Sequence, residues 1–177
     1  SNWSKGYRAI EGEYLFSGGE FDGTYNDETK YVRQVNFTVP QESQLIEIVA
    51  TITGHGFNQD SANCAEFCDH EHHYTIGENT AYEWHPIVYD SRGFENEVSN
   101  GVIANQFGSW PYGRAGWCAG QDVEQWRYDI SSWVDTNQSN HIIYQGLYNG
   151  QEYAPQNTNG GSRNIRAVVW VISYVTY

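Results

Sequence analysis

The sequence predicts an all-β protein, an antiparallel jelly-roll sandwich with long loops and little helix. Apolar and polar residues alternate along most of the chain, and helical spacing is scarce. The chain carries 14 Tyr, 7 Trp, 7 Phe and 18 Gly, a mix suited to pleated half-buried faces joined by tight turns. The candidate strands are also short and separated by Gly- and Asn-rich stretches, the spacing of a sandwich or jelly roll.

Each strand has its own signal. In KYVRQVNFTVP, Tyr31, Arg33, Val35, Phe37 and Val39 share one face, and Pro40 ends the run. LIEIVATITGHG reads as a mostly buried strand that stops at Gly54. HHYTIG is a short strand, and YEWHPIVYD is another, bent at Pro86. EQWRYDISSWV alternates through Trp126, Tyr128 and Ile130, with a helical turn expected near Ser131 to Val134. HIIYQGLYNGQEY runs into a turn at Asn149-Gly150. The unbroken Val, Trp and Ile of NIRAVVWVISYVTY predict a strand in the middle of a sheet. The longest loop spans about residues 90 to 122, and NTNGGS is a flexible turn.

With 177 residues and no repeat or linker, the chain reads as a single domain over residues 1–177. Its 22 acidic residues against 9 basic ones give a net charge of −13. Such a surface repels nucleic acid phosphates and anionic membranes. No apolar run approaches the roughly 20 residues of a membrane span. The start SNWSKGY and the lack of any Met suggest a processed or trimmed N-terminus. The expected location is secreted, extracellular or periplasmic.

Chemistry concentrates in NCAEFCDHEHH, residues 63 to 73. Cys64 and Cys68 enclose Ala65, Glu66 and Phe67. The spacing admits a disulfide across a tight turn, thiolate ligation of a metal, or two reduced thiols, and an extracellular setting favours the disulfide. Cys118 is then left over, either buried and inert or paired with another chain. On a strand, His70 and His72 point the same way and His73 points oppositely. His55 follows the preceding strand and could converge on them. Three neutral imidazoles, His55, His70 and His72, suit copper or zinc. The alternative is a surface cluster that merely titrates.

The segments ITGHG, NCAEFC with a His four residues after its second Cys, NQFGSW, YGRAGWC and DI occur in this order. Together they resemble the C-terminal jelly roll of the peptide:N-glycosidase F family, amidases that remove asparagine-linked glycans. That architecture is also similar to the copper-dependent peptidylglycine monooxygenases. The motif-bearing resemblance covers roughly residues 45 to 130. It implies that Glu66 lies in an active cleft, with Arg114 and Trp117 beside it and His55 at an aromatic position nearby. It also implies the Cys64–Cys68 pairing. The last motif cysteine, Cys118, has a family partner near SRGF, where this chain has Phe94. The family's primary catalytic aspartate comes from a separate N-terminal jelly roll, and the resemblance finds no counterpart here. Asp69, Asp90 and Asp122 are near the motifs in sequence only.

A carboxylate on a stapled turn beside an arginine makes a preorganised polar pair, and Trp117 offers a flat face for a sugar ring. The bland alternative is a structural Glu66–Arg114 salt bridge over a Trp117 in the core. The sequence therefore ranks four functions. The first is a module binding glycan or glycopeptide through Glu66, Arg114 and Trp117. A copper or zinc metalloprotein follows. Half of an amidase, with Glu66 and Arg114 catalytic, is third, and a structural subunit that self-associates is last. Whether the chain is an enzyme stays open.

Overall fold

In a computed structural model, the chain is described at residues 6–16, 33–55, 66–67, 69–85, 87–88, 92–104, 108–148, 151–152 and 164–177. These residues form two packed antiparallel sheets, an all-β sandwich.

The first sheet contains β1 (Tyr7–Phe16), β3 (Leu45–His55), β8 (Trp126–Asp129) and β11 (Asn164–Thr176), in the order β1-β11-β3-β8. The closing strand β11 does lie inside the sheet, paired with β1 on one side and β3 on the other. The second sheet contains β4 (His70–Ile76), β5 (Asn79–His85), β9 (Asn140–Tyr148) and β10 (Gln151–Glu152), in the order β10-β9-β4-β5. Strand β2 (Arg33–Phe37) also pairs with β9. A small third sheet joins β6 (Ile87–Val88) to β7 (Arg114–Ala115).

The core lies between the two large sheets. Ile46, Ile48, Ala50, Ile52, Val169 and Val171 come from the first, and Tyr74, Ile76, Ile142 and Tyr144 from the second. Phe37 and Val39 are buried on the expected face of their strand. Trp126 packs against this core and stacks on Tyr74 at 5.5 Å between ring centroids. Burial of this apolar area, at roughly 25 cal/mol per Å2, is the main force holding the sheets together.

Two expectations differ from the observed elements. The residues around Ser131 to Trp133 form a turn, with Trp133 N donating to Ile130 O at 2.8 Å. Asp129 accepts from the Ser131 amide and hydroxyl there, a local bond that competes with helix. The helical segment is instead a 3-10 helix at Gly93–Asn100, inside the predicted long loop. Strand β1 was not anticipated. Its register with β11 shifts between Ala9 and Glu11 and again between Tyr14 and Phe16. Each shift flips the face that following residues present, and this erases the alternation.

The chain reverses between β4 and β5 at Gly77 and Glu78, with Gly77 at φ 60. Positive φ at the first turn position is natural for Gly. This tight turn fixes the register His70↔His85, His72↔Glu83 and Tyr74↔Ala81. The fate of Cys64 and Cys68 and the turn at Asn149-Gly150 fall outside the described residues.

Candidate functional site

Among the described residues, Arg114, on β7, is the largest fully buried side chain. Its Nε donates to Glu66 Oε1 at 2.7 Å. Nη1 donates to Tyr112 O at 3.0 Å, and Nη2 to Ser109 O at 3.2 Å and Ser109 Oγ at 3.1 Å. The guanidinium also lies 5.2 Å from the ring centres of both Phe67 and Trp117. Removing a guanidinium from water is tolerated only when its donors are met in this way.

Glu66 is held twice. Its carboxylate accepts from Arg114, and its backbone carbonyl accepts from Ala115 N at 2.9 Å. The Glu66 side chain nevertheless keeps 17% of its surface exposed, while Arg114 keeps none. Arg114 therefore positions the carboxylate, and Glu66 is the member of the pair that a ligand can reach.

Trp117 is half-buried and donates from Nε1 to Gly54 O at 2.9 Å. Its ring lies 5.2 Å from that of His55. Beside Trp117 lies a cleft of about 210 Å3 with Glu97, Gln121, Asp122 and Glu124 on its walls. Of the aspartates singled out by sequence position, Asp122 lines this cleft.

His55 belongs to this region. Its Nε2 pairs with Thr53 Oγ1 at 2.7 Å. Burial holds its pKa below the ordinary imidazole value, against the opposing pull of Glu66, with Arg166 and Arg114 pushing it lower still. The expected convergence of His55 with His70 and His72 is not what the structure shows. The third ring beside them is His85, directly across the β4–β5 ladder from His70.

One ring nitrogen each of His70, His72 and His85 lies within 4.8 Å of the others, and all three residues are buried. His70 Nδ1 and His72 Nε2 are 2.7 Å apart, and His72 Nδ1 pairs with the Tyr144 hydroxyl at 2.7 Å. His85 Nε2 bonds Glu83 Oε1. Burial, followed by the neighbouring imidazoles His70, His85 and His73, holds the His72 pKa well below the ordinary value, so the ring is neutral. Burial raises the Glu83 pKa, against the lowering effect of its bond to His85. His73 points to the other face, half-buried, with Nε2 3.1 Å from Glu71 Oε2.

The two regions meet at Gly116. Its φ is 74, and a Cβ there would fall 2.1 Å from His85 Nδ1. The glycine of the Arg-Ala-Gly-Trp-Cys segment is thus required twice, by backbone conformation and by contact with the histidine. Cys118 is a free, buried thiol packed with Phe94 and Val102. Burial, with help from Glu97, pushes its pKa up to about 11, while Arg114 pulls the other way. Phe94 thus fills space against a cysteine that has no disulfide. Among the described residues, no helix is long and apolar enough to cross a membrane.

Residues 24–175 match the family described as Peptide-N-glycosidase F, C terminal. The chain belongs to this family. Among solved structures, a peptide-N(4)-(N-acetyl-β-D-glucosaminyl) asparagine amidase superposes with a TM-score of 0.71 at 18% identity, covering 94% of this chain and 52% of its own. PNGase F, a glycosylasparaginase from Flavobacterium meningosepticum, gives a TM-score of 0.68 at 18% identity, with 92% and 51% covered. PNGF-II gives 0.66 at 14% identity, with 94% and 30% covered. These likenesses establish the fold. The chain spans about half the length of the first two. A sequence comparison with curated proteins finds no match. Nothing in these comparisons supports the expected likeness to copper-dependent monooxygenases.

Proposed function

We propose that this chain handles N-glycosylated peptide as one half of an amidase of the peptide-N-glycosidase type, and that its own part is recognition. The observation that carries this reading is the asymmetry of the Glu66–Arg114 pair. Arg114 is fully buried and directs its donors to Glu66, Tyr112 and Ser109, while the Glu66 carboxylate remains partly exposed. A fixed, partly exposed carboxylate accepts hydrogen bonds from sugar hydroxyls or an amide N–H. Trp117 and the acidic cleft beside it add a ring face and further acceptors.

Amide hydrolysis also needs an activated water and a donor for the developing oxyanion. Arg114 is turned inward, so it positions Glu66 and does not supply that donor. On this reading a second domain completes the catalytic set, and the assembly works outside the cytoplasm with Cys64 and Cys68 oxidised to each other. The family membership and the half-length coverage of its structural relatives support this division of labour.

The test is calorimetric titration with a peptide carrying N-acetylglucosaminyl-asparagine, and with the same peptide lacking the sugar. Saturable binding that needs the sugar, weakened at least about tenfold in Trp117→Ala, is the expected result. The chain alone should release no sugar from that peptide. Equal binding of both peptides, or release by the isolated chain, would overturn the reading.

A further inference from the structure

The histidine cluster lies outside the recognition cleft and has no part in the function proposed above. We propose that His70, His72 and His85 form a binding site for a divalent late first-row metal ion of the zinc or copper class. His70 and His85 face each other across one ladder position, and His72 stands opposite Glu83 two residues along. All four side chains are buried on the inner face of a hairpin whose register is fixed by a tight turn. One ring nitrogen from each of the three histidines already lies within 4.8 Å of the other two. Tetrahedral ligands about 2.0 Å from zinc stand roughly 3.3 Å apart, so small side-chain shifts place an ion among them.

The surroundings match what imidazole ligands need. A metal-bound histidine is generally oriented by a hydrogen bond from its other nitrogen to a carboxylate or another acceptor. Tyr144 provides a partner for His72 Nδ1 at 2.7 Å, and Glu83 does so for His85 Nε2. Once those nitrogens are engaged, His72 turns Nε2 toward His70 Nδ1, 2.7 Å away, and His85 turns a partnerless Nδ1 to the site; a metal ion would take the place of the hydrogen bond between the His70 and His72 rings. His85 Nδ1 and Glu83 Oε2 are both buried without a hydrogen-bond partner. A buried polar group without a partner is destabilising, and a nearby cation offsets that cost for both. Nitrogen donors exclude calcium and magnesium, which take oxygen, and suit zinc or copper(II). Gly116 lets the neighbouring loop close directly over His85.

A purely structural hydrogen-bonded cluster is the alternative, and the two separate cleanly in solution. Chelator-stripped protein is loaded with Zn(II) or Cu(II), desalted and assayed for metal per chain. Co(II) is titrated in parallel and read by its visible absorption. The expected result is one equivalent in the wild type and in His73→Gln, with near-complete loss in His72→Gln and His85→Gln. Tyr144→Phe alters only an orienting partner, and roughly 10- to 100-fold weaker affinity is expected for it. It tests the site even if a histidine variant does not fold. Absence of uptake by the wild type, uptake unchanged in folded His72→Gln and His85→Gln, or loss in His73→Gln as severe as in His72→Gln, would each overturn the site.

Discussion

Among the described residues, the Arg114–Glu66 and Arg127–Glu47 pairs each enclose one partner more than the other, and they face in opposite directions. In the Arg114–Glu66 pair the cation is wholly enclosed and the anion keeps 17% exposure. In the Arg127–Glu47 pair the cation is 37% exposed and the anion only 10%. Arg127 reaches across from β8, donating to Glu47 Oε2 at 3.1 Å and to the Tyr174 hydroxyl at 3.0 Å. That arrangement neutralises a carboxylate on a buried strand and leaves solvent to the guanidinium. The first arrangement does the reverse and offers a fixed acceptor outward. Which partner faces water therefore separates a pair suited to holding a fold from one suited to meeting a ligand.

Substitutions that attack each pair should differ most at the buried cation. Arg114→Met removes the donors that Arg114 gives to Glu66 and to the carbonyls of Ser109 and Tyr112. A loss of about 3–5 kcal/mol in urea unfolding is expected. A loss under 1 kcal/mol would show that Arg114 is not the support of this region. Gly116→Ala forces a side chain into positive φ and against His85. It should cost at least about 2 kcal/mol by the same measurement, and a neutral result would mean the loop stands away from the histidine. Arg127→Ala removes an arginine that is partly in water, so roughly 1 kcal/mol or less is expected. Unfolding free energies that rank Arg127 above Arg114 would reverse the comparison.

The smallest effect concerns Cys118, whose thiol feels both burial and the charge of Arg114. Its pKa moves from 9.0 to about 11, so the reactive thiolate is roughly a hundredfold rarer than in the unfolded chain near pH 8. Iodoacetamide should modify the native protein at Cys118 correspondingly slowly. Because the folded pKa is raised, the protonated thiol contributes stability that is lost as pH climbs through 9 towards 11. Alkylation at the unfolded rate would place Cys118 at the surface.

Much of the sandwich was legible because a two-residue period survives wherever a strand runs straight with one buried face, as in β4. It failed in β1, where two register shifts break the period. The motif residues Glu66, Arg114 and Trp117 could be named from sequence, but their exposure could not. Only the packing of Ser109, Tyr112 and Phe67 around the guanidinium shows that Arg114 faces inward. His85 was missed although its signal was present. It stands seven residues after Glu78, as His70 stands seven before Gly77, so a two-residue turn there brings them face to face. His55 looked equally suitable by chain proximity, but it ends β3 beside Trp117.

The central claim, that the motif is built to present the Glu66 carboxylate to a glycopeptide, is tested most directly by Glu66→Gln. The substitution keeps the shape and an acceptor for Arg114 but removes the charge. Calorimetric titration with the N-acetylglucosaminyl-asparagine peptide should show binding to the wild type and to Arg127→Ala, and at least about tenfold weaker binding to Glu66→Gln. Undiminished affinity in a folded Glu66→Gln protein would contradict the account and leave the pair a structural salt bridge.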